Sequence, residues 1–155
     1  MKLLIGNDVM VDYLMQSGEM IEDVLQIFWL HSNEYVQCYK LITSASDIFT
    51  RLVERTNDFK EGRAIMSAFL DAVYTEPVSG YHIAQAAKLG WTDFDAAIQY
   101  AVAVDMSASY IITSEYYRFS DGDQLNGIEI LTPKHFTRKH PLTSFGNKVS
   151  SLDVF

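Results

Sequence analysis

The sequence predicts an α/β fold, a three-layer α/β/α sandwich with a central parallel sheet. Three observations lead there. Short apolar runs at residues 2–6, 39–43, 110–113 and 128–131 read as buried strands bounded by polar or glycine positions. Between them lie longer stretches with helical spacing, and strands that alternate with helices pair through crossovers into a parallel sheet covered on both faces. The length, 155 residues at 48 % hydrophobic content, suits one compact core rather than two.

The first strand, residues 2–6, is Lys-Leu-Leu-Ile-Gly and ends in a polar turn. A short helix from Val9 to Leu14 follows. From Met20 to His31 the residues Ile21, Val24, Leu25 and Phe28 fall on one helical stripe facing the core. Residues 39–43 form the second strand, after which Ser44 or Ser46 caps a helix running to about Glu54, since a serine hydroxyl accepts from the open amides of a first turn. One helix is expected over residues 59–73, with Ile65, Phe69 and Ala72 on one side, broken by Glu76-Pro77-Val78-Ser79-Gly80. Residues 81–89 make a small-residue helix stopped by Gly90, and residues 92–104 another, with Thr92 as N-cap and Asp95 three residues on. Residues 110–113 and 128–131 are the last strands, the latter leading into a helical turn headed by Pro133. Residues 137–155 carry little periodicity and read as a C-terminal tail behind a domain at 1–136, with Leu152, Val154 and Phe155 able to dock on the domain or a partner.

Composition narrows the function classes. A formal net charge of -8 repels a phosphate backbone, which disfavours broad non-specific nucleic-acid binding. Lys134, Arg138, Lys139 and Lys148 form the one basic concentration. No apolar run approaches the length of a membrane helix and no secretory leader is legible, so a cytoplasmic, membrane-free protein is expected. A lone Cys38 excludes an internal disulfide and a cysteine zinc cluster, and reads as a small buried residue. His31, His82, His135 and His140 lack metal-ligand spacing, and no Ser/His/Asp constellation or glycine-rich phosphate loop is apparent. Asp121-Gly122-Asp123 has part of a calcium-loop pattern, but Leu125 stands at the next ligand position, so a turn is expected. Phe28, Phe49, Phe69 and Phe94 occupy helix positions that favour the core over base stacking.

Three segments carry a pattern of their own. One is Gly6-Asn7-Asp8-Val9 after the first strand, with Asp12 in the helix beyond. A second is Ile42-Thr43-Ser44-Ala45-Ser46-Asp47-Ile48-Phe49. The third combines Asp93-Phe94-Asp95-Ala96-Ala97-Ile98, the strand Tyr110-Ile111-Ile112-Thr113-Ser114, then Phe119 and Leu131-Thr132-Pro133. In order and spacing these segments, spanning residues 2–136, resemble the PIN-domain family, especially the VapC-type toxins of toxin–antitoxin modules. The resemblance implies a ribonuclease (hydrolase) fold in which acids at the C-terminal ends of parallel strands hold Mg²⁺ or Mn²⁺, which activates water against a phosphodiester. It also implies RNA as substrate, an antitoxin-like protein partner and a homodimer. The helix at residues 20–31, with Trp29 and Leu30 beyond its core stripe, offers the surface for a twin.

The acid pattern is altered. The family's first Asp position holds Gly6 and its following Asn position holds Asp8; the third acidic position holds Ala96, flanked by Asp93 and Asp95; Glu115 stands for an Asn, and Arg118 for a later Asp. Asp47 alone matches directly. The resemblance therefore implies catalytic residues drawn from Asp8, Asp47, Asp93 and Asp95, metal ligands from these and Glu115, and weak or no activity; the alternative is a non-catalytic fold that binds protein or RNA. Restoring acids at positions 6 and 96 is the complementary test, a gain of cleavage indicating an intact crevice that lost only its ligands. Each acid also has a plainer reading: Asp8 as cap of the following helix, Asp47, Asp93 and Asp95 as first-turn anions favoured by the helix dipole, Glu115 as a loop acid, and Asp12 as exposed or paired.

Overall fold

The structure is a computed structural model, and it describes residues 1–119 and 127–146. The Asp121-Gly122-Asp123 turn, Lys148, Leu152, Val154 and Phe155 lie outside the described residues.

Five strands are present among them: β1 Lys2–Ile5, β2 Gln37–Leu41, β3 Tyr74–Glu76, β4 Tyr110–Ile112 and β5 Glu129–Leu131. They pair in the order β3-β2-β1-β4-β5, all parallel, with Leu3 opposite Cys38 on one side and Tyr110 on the other. The helices are α1 Asn7–Met15, α2 Ile21–Ser32, α3 Ala45–Thr56, α4 Phe59–Met66, α5 Phe69–Ala72, α6 Gly80–Leu89, α7 Phe94–Asp105 and α8 Pro133–Lys139.

Because side chains alternate across a strand, β1 feeds two cores. Leu3 and Ile5 join Val9, Met10, Val24, Ile27, Leu30, Ile48, Leu52 and Phe136, so α1, α2, α3 and α8 cover that face. Leu4 and Ile111 point the other way, against Ala96, Tyr100, Val102 and Ala103 of α7, which packs in turn on α6. This is the expected three-layer α/β/α sandwich with a central parallel sheet.

Several elements differ from expectation. The second strand ends at Leu41, and Ile42–Ser44 turns as a 3-10 segment into α3, with no serine side chain capping it. The helix expected over residues 59–73 is two, α4 and α5: a tight turn at Ser67 and Ala68, whose amides bond back to Ala64 and Ile65, interrupts it. Residues 74–76, unassigned by pattern, then form the edge strand β3, too short for alternation to reveal. The N-cap of α7 is Asp93, whose carboxylate accepts from Ala96 N, in place of Thr92. Helix α8 runs on to Lys139, and Leu142 in the following 3-10 turn is buried. Phe28 and Phe69 are in the core, but Phe94 is exposed.

Candidate functional site

The strand order itself marks a place. After β1 the chain builds outward through β2 and β3, then returns to add β4 and β5 on the other side, so the direction reverses between β1 and β4. Loops part there at the C-terminal strand ends, where open α/β sheets form their crevices. Gly6 closes the seam, its amide donating to the Ile112 carbonyl at 2.8 Å. A Cβ on Gly6 would lie 2.9 Å from Thr113 Cβ and 3.1 Å from the Ile112 carbonyl oxygen, so this residue type is set by close backbone approach.

Asp8 lies in the first turn of α1, and Gly6 is the N-cap, so Asp8 does not cap the helix. Its carboxylate instead reaches across the seam. Thr113 Oγ1 donates to Oδ1 at 2.8 Å and Ser114 N to Oδ2 at 2.7 Å, tying α1 to the end of β4. Asp8 Oδ1 is also 2.9 Å from where a Gly6 side chain would begin, so the displaced acid fills the space of the missing one. Thr113 Oγ1 in turn accepts from Glu115 N at 2.9 Å.

Asp47, in the first turn of α3, accepts from buried Asn7 Nδ2 at 2.7 Å and from Arg51 Nε at 2.9 Å. Arg51 then crosses to β4's loop, where Nη1 donates to Glu115 Oε1 at 2.8 Å. Arg118 faces the N-terminus of α7. Its Nε and Nη2 donate to the two oxygens of Asp93 at 2.7 and 3.1 Å, and Nη2 donates also to Asp95 at 2.9 Å. Arg118 Nη1 comes within 3.9 Å of Glu115, closing a chain of contacts from Asp47 to Asp95. Asp95 additionally accepts from buried Gln99 at 2.8 Å. Asp47, Glu115, Asp93 and Asp95 are thus linked through the two arginines, while Asp8 is tied separately to Thr113 and Ser114.

The electrostatics follow the contacts. Hydrogen bonding from Arg118 leads in holding the Asp93 carboxyl below its usual range, and burial only partly opposes it. The same bond raises the Arg118 guanidinium further above its already high value. Burial pulls Arg51 down, but the Glu115 and Asp47 carboxylates outweigh it and leave it raised. Both arginines are fixed cations. Sequence reasoning missed Arg51, Asn7, Thr113 and Ser114 and saw Arg118 only as a lost acid. The four-residue spacing of Asp47 and Arg51 was the one local signal available.

The other candidates separate from the crevice. Asp12 pairs with Arg55 at 2.7 Å. Lys139 binds Glu129 at 2.7 Å, and Lys134 borders a cleft it shares with Glu19, Glu22 and Asp23, so these two lysines answer acids of their own. Cys38 is fully buried and its thiol is pushed well up. Contrary to expectation, a Ser/His/Asp row exists: Ser79 Oγ lies 3.2 Å from His82 Nδ1, and His82 Nε2 2.8 Å from Asp105. The Ser79 amide, however, already donates to that Nδ1 at 3.0 Å, so the ring completes a capping box at the start of α6 and anchors it to α7.

An all-parallel five-stranded sheet of this order, covered by helices on both faces, is a PIN-like α/β/α sandwich. No family model matches the sequence, and no curated protein matches it. Among solved structures it is similar to the VapC20 toxin of Mycobacterium tuberculosis, described as cleaving the sarcin–ricin loop, at 12 % identity and a TM-score of 0.60 over 77 % of this chain and 95 % of that one. It is also similar to VapBC2 of Rickettsia felis, bound to a DNA fragment from its promoter, at 12 % identity and a TM-score of 0.54 over 84 % and 97 %.

The donors as arranged do not fit a divalent cation. Mg²⁺ or Mn²⁺ needs several oxygens converging on one point with their charge unspent. Here four of the carboxylates are paired with Arg51 or Arg118, and among the described residues no three Asp, Glu, His or Cys side chains group to hold a metal.

Proposed function

We propose that this protein is a PIN-like relative of divalent-metal-dependent endoribonucleases whose carboxylate site is incomplete, with weak or no cleavage of RNA. The observation that carries this reading is the state of the two altered positions. Gly6 has no room for a side chain, and Ala96 is wholly buried with its amide tied to Asp93 at 3.0 Å, so neither position supplies an acid. Asp8 lies beside the first vacancy, with one oxygen accepting from Thr113 and the other from Ser114. Chemistry that depends on a metal-bound water placed within fractions of an ångström loses orders of magnitude when its ligands are absent or committed.

A second reading has its own support: a non-catalytic module that binds protein or RNA. Tyr116 and Tyr117 stand 60 % and 62 % exposed on the 3-10 turn beside Arg118, at the lip of the crevice. Exposed tyrosines flanked by a fixed guanidinium suit either base stacking or a protein contact. An antitoxin-like partner and a homodimer belong to the proposal through the fold likeness, as does a cytoplasmic setting. No described helix is long and apolar enough to cross a membrane.

The test is a cleavage assay on single-stranded RNA at high protein concentration with Mg²⁺ or Mn²⁺. Weak or undetectable cleavage is expected, and any weak cleavage disappears in Asp47→Asn. Robust cleavage would overturn the reading; if it survived Asp47→Asn, the chemistry would lie outside this crevice.

A further inference from the structure

We propose that Arg51 and Arg118 are the resident cations of the crevice, standing in for a divalent metal, so that this chain takes up no such metal there. The inference rests on the functional reading above and explains why the fold tolerates a damaged ligand set. Five acids, Asp8, Asp47, Asp93, Asp95 and Glu115, gather at one end of the sheet. Carboxylates brought to one end of a sheet repel one another unless positive charge lies between them.

The two guanidinium groups provide that charge from inside the chain. Arg51 joins Asp47 of its own helix to Glu115 beyond β4, and Arg118 clamps Asp93 with two parallel bonds while reaching Asp95. The arginine side chains are 27 % and 18 % exposed, whereas Asp47 and Asp95 are about half exposed, so the Glu115 and Asp93 pairs are the better shielded ones. Asp8 is answered by neutral donors alone, a hydroxyl and an amide.

A metal drawing on Asp93 or on the Asp47 and Glu115 oxygens that face the arginines competes with a guanidinium. It would forfeit charge-assisted bonds of 2.7–2.9 Å to partly shielded arginines. The planar guanidinium fork of Arg118 matches the Asp93 carboxylate with paired donors, a recognition mode unlike the octahedral shell of Mg²⁺ or Mn²⁺. Charge and shape therefore both favour the arginines.

The experiment titrates Mn²⁺ into the full chain, followed by calorimetry and by thermal unfolding with and without a chelator. Wild type is expected to show no saturable binding below millimolar metal and no shift in its unfolding temperature. Arg51→Ala with Arg118→Ala should unfold earlier, recover on adding Mn²⁺, and gain affinity on the order of tenfold or more as the acids lose their internal counter-charge. Arg51→Lys with Arg118→Lys keeps both charges and should continue to exclude metal.

Stoichiometric Mn²⁺ binding to wild type overturns the proposal and requires no variant that folds. So does an alanine variant that folds but binds no better than wild type, or a lysine variant that binds as the alanine one does. RNA cleavage without metal uptake would defeat the functional reading and leave this inference standing. Metal uptake without cleavage would do the reverse.

Discussion

Gly6 shows how one residue decides what the site can become. At the sequence level it looks like a deleted acid, which suggests that Gly6→Asp with Ala96→Asp would restore a ligand set. The surroundings of Gly6 bear on that test: the strand end is pressed against β4, with Thr113 Cβ and the Ile112 carbonyl where the new side chain would start. Neither obstacle is the free end of a flexible side chain, so the backbone seam has to open. Gly6→Ala is therefore expected to destabilise the fold by about 1–3 kcal/mol, the usual cost of overpacking, as read from the denaturant midpoint. A neutral result would mean that the seam yields easily and that an acid at position 6 is again a feasible repair. Asp8 teaches a related lesson. Its identity and place were legible, its role was not, because the partners Thr113 and Ser114 lie more than a hundred positions away in the chain.

At the scale of elements, the strands β1, β4 and β5 and the helices α1, α2, α6 and α7 were legible within a residue or two, since long apolar periodicity survives in the sequence. What escaped was the segment from α5 to β3, and Lys40 explains why. This lysine on β2 is wholly buried, and its Nζ donates to the carbonyls of Leu70 at 3.1 Å and Val73 at 2.6 Å, lying 4.9 Å from the Phe69 ring centre. A charged residue inside a strand thus pins the turn between α5 and β3, a tertiary contact that no local pattern encodes. Lys40→Met keeps the bulk but removes both donors, leaving two carbonyls short of partners. The expected loss is about 1–3 kcal/mol, with faster amide exchange concentrated at residues 69–76. Uniform exchange across the domain would show that Lys40 supports the whole core and has no special hold on this segment.

At the scale of the whole molecule, the expectation of a twin rested on α2, whose apolar content appeared to exceed what one core needs. The structure uses that surplus internally. Leu30 is fully buried with Val24 and Ile27, and α2 packs against α8. Trp29 stacks with Tyr35 at 5.9 Å, and Tyr35 meets Phe145 of the last 3-10 turn at 6.1 Å. The C-terminal segment was the part of the sequence with the weakest periodicity, so nothing in the pattern announced that it would cover this helix. Leu30 is thereby removed from the surface proposed for a twin, while Trp29 and Leu25 of α2 stay only partly buried. Leu30→Ala separates the two cases: a core leucine leaves a cavity worth about 2–5 kcal/mol, whereas an interface leucine costs association and leaves the folded protomer intact. The expected result is a clearly lower unfolding temperature with the light-scattering mass unchanged from wild type. A halved mass at unchanged stability would return α2 to the surface and reopen it as the face of a dimer.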